Sequence, residues 1–147
     1  MSDTSQDHTT PKGFWLIAIL LVAWNIIGVM NYWASVTATP ESLAAQEFNA
    51  EQIEFLLAMP SYYAAVFALA VWSGLVGAVL LLLRKALAVP VILFGAVMVI
   101  LSFTLDFTSG SFAMLGGAYV GIMTVVLIIA LFSAWFARQM KARGILS

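Results

Sequence analysis

Charged residues divide this chain into four uncharged windows, each long enough to cross a lipid bilayer. Lys12 and Glu41 enclose 28 uncharged residues, Glu54 and Arg84 enclose 29, Lys85 and Asp106 enclose 20, and Asp106 and Arg138 enclose 31. A helix crosses roughly 30 Å of hydrocarbon with about 20 apolar residues. The windows therefore predict spans over residues 14–36, 61–83, 88–107 and 113–136. The apolar runs are continuous rather than alternating, which makes the strands of an outer-membrane barrel a poor alternative. Composition agrees: 63% of the residues are apolar and 9% charged, whereas about a quarter are charged in a soluble domain. So few polar side chains cannot cover a water-facing surface. The expected fold class is all-α, an integral membrane four-helix bundle whose single domain covers residues 14–136. A disordered polar tail over 1–13 precedes it, and a basic tail over 137–147 follows.

Lys and Arg set the orientation. They occur at Lys12, at Arg84 and Lys85, and at Arg138, Lys141 and Arg143, and the first and third loops have none. The positive-inside rule places both tails and the Arg84–Lys85 turn in the cytoplasm, an N-in/C-in topology. Val36-Thr37-Ala38 after the first span resembles a small-residue cleavage site. The apolar stretch before it exceeds the about 7–15 residues of a signal core, so an uncleaved anchor is expected.

The first outer loop carries its own helix signals. Thr39-Pro40-Glu41 reads as an N-cap with Pro at the first helical position. Asn49-Ala50-Glu51-Gln52 reads as a capping box. Ile53, Leu56 and Leu57 then share an apolar face, Glu47, Glu51 and Glu54 share an acidic one, and Pro60 ends the segment. A short amphipathic helix over about 50–58 is expected on the outer surface, with its acidic face solvated. The Asp/Gly-rich calcium loop pattern is missing, so no metal is expected there.

Several function classes drop out. The chain has no Cys, one His (His8, in the polar tail) and a formal charge of −1. Thiol chemistry, thiolate or His-based metal sites and nucleic-acid binding are not expected. Nor is there a phosphate loop or a nucleophile–base pair. The expectation is a non-enzyme without cofactor, whose first partner is the lipid bilayer.

Polar side chains inside a bilayer are costly, and each one is a functional hypothesis. Asn31, Tyr32, Tyr62, Tyr63, Ser102, Asp106 and Tyr119 fall in the outer half, with Asn25, Ser73 and Thr124 near the midplane. The inner half is almost wholly Ala, Leu, Ile and Val. This asymmetry predicts a vestibule open outward, lined by Asn25, Asn31, Tyr63, Ser102, Asp106, Tyr119 and Thr124. The competing reading makes the tyrosines an interfacial belt. In that reading Asp106, about 30 Å along the helix from Lys85, ends the third span at the headgroups rather than acting as a buried proton or substrate carboxylate. Asn25 lies too deep to reach water by snorkelling. It must bond another helix, a water or a ligand, and an interhelical bond is the commoner solution.

Small residues mark where backbones can approach in lipid, where no hydrophobic force drives helices together. Gly28, Ser73, Gly74 and Gly77, and the Gly117-x-x-x-Gly121 pair of the fourth span, are expected to form packing seams. Trp24 and Trp72 are expected to fill gaps opposite them, with Asn25 accepting from the Trp72 indole.

Trp24-Asn25-x-x-Gly28-x-x-Asn31-Tyr32, Pro60, Trp72-Ser73-Gly74 and Leu80-Leu81-Leu82-Leu83-Arg84-Lys85 together resemble small four-helix inner-membrane proteins of Gram-negative bacteria that carry the label "sugar transporter". The resemblance covers most of the chain beyond the tail and implies a multi-pass protein of a bacterial inner (cytoplasmic) membrane. Asn31 stands where the pattern commonly has Asp, and Ser73 where it commonly has Gly. The first departure removes a charge that proton coupling would use. Two functions follow as expectations. One is a permease for a small uncharged, sugar-like solute, working as a homo-oligomer because one four-helix bundle encloses little space. The other is a non-transporting interaction subunit or assembly factor of a larger membrane complex.

Overall fold

The structure, a computed structural model, describes residues 10–147. Residues 1–9, with His8 and most of the tail expected to be disordered, lie outside the described residues. Seven helices occur among the described residues: α1 (Lys12–Val36), α2 (Pro40–Ala45), α3 (Ala50–Leu57), α4 (Ser61–Leu82), α5 (Ala88–Ser109), α6 (Ser111–Leu115) and α7 (Gly117–Ala142). α1, α4, α5 and α7 are long and apolar enough to cross a membrane. The chain is an all-α, multi-pass membrane protein.

The first three spans lie close to their sequence windows, because a charge or a proline marks each end. The fourth does not. Its window is longer than a bilayer requires, and the surplus forms α6 between two glycines. Gly110 (φ 84°) ends α5 in the left-handed region and Gly116 (φ 85°) separates α6 from α7, conformations that glycine adopts without a Cβ penalty. α7 then starts at Gly117 and continues past the expected end at residue 136 to Ala142.

Spatial order follows chain order. α1 packs on α4, α4 on α5 and α5 on α7. α1 and α7 make no comparable contact along their length and meet through the stacked rings of Phe14 and Phe136, 6.0 Å apart. The helices alternate in direction, so Lys12, Arg84, Lys85 and Arg138 gather at one end, the basic end, and Glu41, Glu47, Glu51 and Glu54 at the other, the acidic end.

The packed core sits at the basic end. Phe14, Ala18 and Leu21 of α1, Ala78 and Leu81 of α4, Ala88 and Ile92 of α5, and Ala134, Ala137 and Met140 of α7 form one buried cluster. On α1 and α7 these recur at helical spacing, which turns one stripe of each helix inward. The last residues of the basic tail return to the bundle. Gly144 (φ 74°) turns the chain back under the bundle, burying Ile145 and Leu146. The Arg84 Nε donates to the Ile145 carbonyl (3.1 Å), the Ser147 N–H to the Arg84 carbonyl (2.9 Å), and the Ala86 N–H to the Ser147 backbone oxygen (2.8 Å). These bonds hold the α4–α5 turn, in which Arg84 itself takes φ 59°.

At the acidic end the loop helices form a lid. Both N-terminal signals act as read. Thr39 and Ser42 close one capping box, and Asn49 and Gln52 the other, with Gln52 N–H to Asn49 Oδ1 at 2.8 Å and Asn49 N–H to Gln52 Oε1 at 3.0 Å. The Gln52 Nε2 also donates to the Met114 carbonyl (3.1 Å), which ties α3 to α6 across the top of the bundle. Glu47 does not continue the acidic face of α3. It lies in the turn before that helix, at φ 67°.

Candidate functional site: a cavity between the four long helices

Packing at one end and a lid at the other leave a hollow between. A cavity of about 630 Å³ lies among α1, α4, α5 and α7 below α2, α3 and α6. Its floor is the basic-end core, met at Leu21, Ala78, Ile92 and Ser133, with the stack of Phe136 on Phe14 and on Phe132 (5.8 Å) beyond it. Leu43, Phe48, Leu56 and Leu57 of the acidic loop roof it. The expectation that one four-helix bundle encloses little space is corrected. α1 and α7 stand apart above the floor, and the volume between them belongs to a single chain.

Six of the seven sequence-predicted polar residues are brought to these walls: Asn25, Asn31, Tyr63, Ser102, Asp106 and Tyr119. Thr124 is not. Its side chain faces away from the bundle and donates to the Val120 carbonyl one turn back (2.8 Å). α7 presents Met123 and Val126 to the cavity instead.

Asp106 is the centre of the polar end. It stands in the last turn of α5, turned into the protein; only 5% of it is exposed. One carboxylate oxygen accepts from the Tyr119 hydroxyl at 3.0 Å, which joins α5 to the first turn of α7. The glycine-flanked corner of α6 makes this possible, because it folds α7 back beside α5 close to the carboxylate. The same corner is held by the Ser109 and Ser111 hydroxyls, 2.7 Å apart, and by a bond from Ser109 to the Asp106 carbonyl (3.3 Å). Tyr63 reaches from α4 to the Leu105 carbonyl of α5 (3.4 Å), and its ring stacks on Tyr62 at 4.8 Å.

Asn25 lies deeper and solves its burial within its own helix. Its Nδ2 donates to the Leu21 carbonyl at 2.7 Å rather than to another helix. Its Oδ1 lies against Gly74 of α4, where a Cβ would collide with it. Trp72 is not its partner: that ring is 48% exposed on the lipid side of α4, while Trp24 lines the cavity.

The seams that shape the cavity lie on α4. Gly28 of α1 faces Val71, with 3.5 Å from an ideal Cβ to Val71 Cγ1. Gly77 faces Ile92 of α5, whose Cγ1 lies 2.5 Å from where a Cβ would stand. Ser73 turns its hydroxyl onto the Leu69 and Ala70 carbonyls and fits against Gly95, whose Cβ would lie 2.8 Å from the Ser73 Oγ. Gly117 and Gly121 are corrected. Nothing lies within 4 Å of a Cβ on either, because α7 packs on α5 through Ala134 and Ala137 near the basic end.

Comparison with known proteins adds no analogy. No family model, curated protein or solved structure matches the chain. The chemistry of the cavity is read from its own walls. Sequence reasoning missed Gly95, Gln46 and Ser133, all three of which line the cavity. Gly95 is the one glycine of α5, a signal that was available. Ser133, which donates to the Ile129 carbonyl (2.7 Å), lies near the floor among apolar neighbours, and its spacing from Tyr119 on one face of α7 would have found it.

Proposed function

We propose that this protein is a small-solute permease of a bacterial inner membrane, with both ends of the chain cytoplasmic and the acidic loop outside. One observation carries the reading. The hollow is polar below the lid, apolar deeper and closed at the basic end by the packed core, as a solute chamber with a closed inner gate would be. At about 630 Å³ it falls within the roughly 300–1,000 Å³ of small-molecule sites. The walls favour a solute with an apolar body over a sugar. Asn31, Gln46, Tyr63 and Ser102 can bond hydroxyls, but Leu, Ile, Val and Ala make up most of the remaining surface. The "sugar transporter" resemblance supports transport more than it supports that substrate. A homo-oligomer is not needed to form the chamber.

Cysteine accessibility tests the chamber. The chain has no native Cys, and a thiol needs water to ionise and to meet a membrane-impermeant reagent. Asn31→Cys, Ser102→Cys and Asn25→Cys are expected to react from the acidic-loop side. Thr124→Cys and Val79→Cys, which face lipid, are expected to stay unmodified. Labelling of Asn31→Cys alone would reduce the chamber to a shallow dip and remove the permease reading. Orientation has its own test, since the first and third loops lack Lys and Arg. Reporter fusions after Pro40 and Gly110 are expected to report the periplasm, and one after Lys85 the cytoplasm. A cytoplasmic signal at Gly110 would overturn the orientation.

A second reading, an interaction subunit or assembly factor, is favoured by the uncovered glycines of α7. Gly117 and Gly121 leave a helix backbone open to close approach from outside the chain. A stoichiometric unrelated partner, copurified from native membrane, would support it over transport.

A further inference from the structure

We propose that the cavity binds an organic cation, an ammonium or similar onium group on an apolar body, with Asp106 as its counter-ion. The inference rests on the solute-chamber reading above and names its ligand class.

Charge balance is the first reason. Asp106 is almost fully buried, and the group that bonds its carboxylate at 3.0 Å is a neutral phenol, Tyr119. No Lys, Arg or His occurs between Lys12 and Arg84 or between Lys85 and Arg138, so no cation stands in the cavity wall. A buried carboxylate without a countercharge is costly, and a cationic ligand supplies the charge that the chain lacks. The aromatic lining is the second reason. Trp24, Tyr63, Phe67 and Tyr119 all border the cavity, and ring faces attract cations, most strongly where water is excluded. The lower wall is the third. From Asp106 to Ile92 the α5 stripe descends about 21 Å at 1.5 Å per residue, and Ile92, Ala96, Val126 and Ile129 offer that depth to an apolar body. A sugar would leave these walls unused and an anion would meet the carboxylate. The gap between α1 and α7 above the floor gives a lipid-soluble body a lateral way in.

Tetraphenylphosphonium and tetraphenylborate, nearly isosteric ions of opposite charge, make the test. Radiolabelled tetraphenylphosphonium is expected to bind the purified full chain in detergent saturably, without competition from the borate. Asp106→Asn keeps the shape and the bond from Tyr119 but removes the charge, and is expected to weaken binding by about tenfold or more. Undiminished binding by that variant, equal binding of the borate, or no saturable binding by the unaltered chain would overturn the proposal. Ser102→Cys, one turn below an intact Asp106, covers the case in which Asp106→Asn does not fold. The phosphonium is expected to protect it from the thiol reagent and the borate is not; equal protection by both ions, or by neither, overturns the assignment. A reactive but unprotected Ser102→Cys would remove the cation and leave the chamber standing, whereas dry positions at Ser102 and Asn25 would remove both.

Discussion

Gly77→Ala is expected to destabilise the folded protein by about 1–3 kcal/mol, while Gly121→Ala leaves it unchanged or firmer by about 0.5–1 kcal/mol. The same chemical change takes opposite signs because the two glycines face different surroundings. A Cβ at Gly77 would stand 2.5 Å from Ile92 Cγ1 and 3.3 Å from the Ile92 backbone nitrogen, so α4 and α5 would have to separate. Ile92 belongs to the buried cluster, and its displacement would loosen the part of the molecule that is densely packed. A Cβ at Gly121 meets nothing within 4 Å, which leaves the ordinary gain in helix propensity. Unfolding of the detergent-solubilised variants, followed by loss of helical circular dichroism against denaturant, measures both. Equal midpoints would show that the α4–α5 seam is not set by Gly77. A marked loss for Gly121→Ala would mean that α7 carries a partner on that face.

Phe136→Ala should cost about 2 kcal/mol and open the floor. The ring is 5% exposed and stacks on both Phe14 and Phe132. In water such a truncation costs about 3–5 kcal/mol, part of it from exposing apolar surface. Helices that separate in lipid lose packing but little of that transfer energy, so the expected cost is the cavity share. The larger effect is on access. With the stack removed, α1 and α7 lose their point of contact, and Ser133→Cys, near the floor, is expected to react from the basic end in Phe136→Ala but not beside an intact Phe136. Protection of Ser133→Cys in both backgrounds would show that other residues of the core seal this end.

Most of the helical architecture was legible because membrane spans are written in uncharged length, and charges or Pro60 mark where they stop. Helix starts in the outer loop were legible for a local reason: a capping box uses residues three apart, whatever the rest of the chain does. The fourth span was displaced because hydropathy does not distinguish a span from a short apolar helix beside it, and Gly116, which separates the two, was not read as a break. The site was partly legible. Asn25, Asn31, Tyr63, Ser102, Asp106 and Tyr119 stood out as polar groups at depth, and the structure places all six on one cavity. Thr124 stood out equally and faces lipid, because a hydroxyl can satisfy itself on its own helix and needs no cavity. The glycine pair of α7 failed similarly. Gly-x-x-x-Gly says that a backbone can be approached, not which helix approaches it.

The neighbour order α1–α4–α5–α7 has a consequence for biogenesis. As each long helix leaves the insertion machinery, the helix it packs against is already in the bilayer, so the three broad seams assemble in sequence from local contacts. The floor is the exception. Phe14 belongs to the first helix made and Phe136 to the last, and their stack cannot form until the whole chain has been inserted. Until then the lower end of the hollow stays open, and a nascent chain stalled before α7 exposes Asp106 without Tyr119. Closure of the basic end and the bond from Tyr119 to Asp106 at the other end both wait for α7, the helix that separates an inserted chain from a folded one.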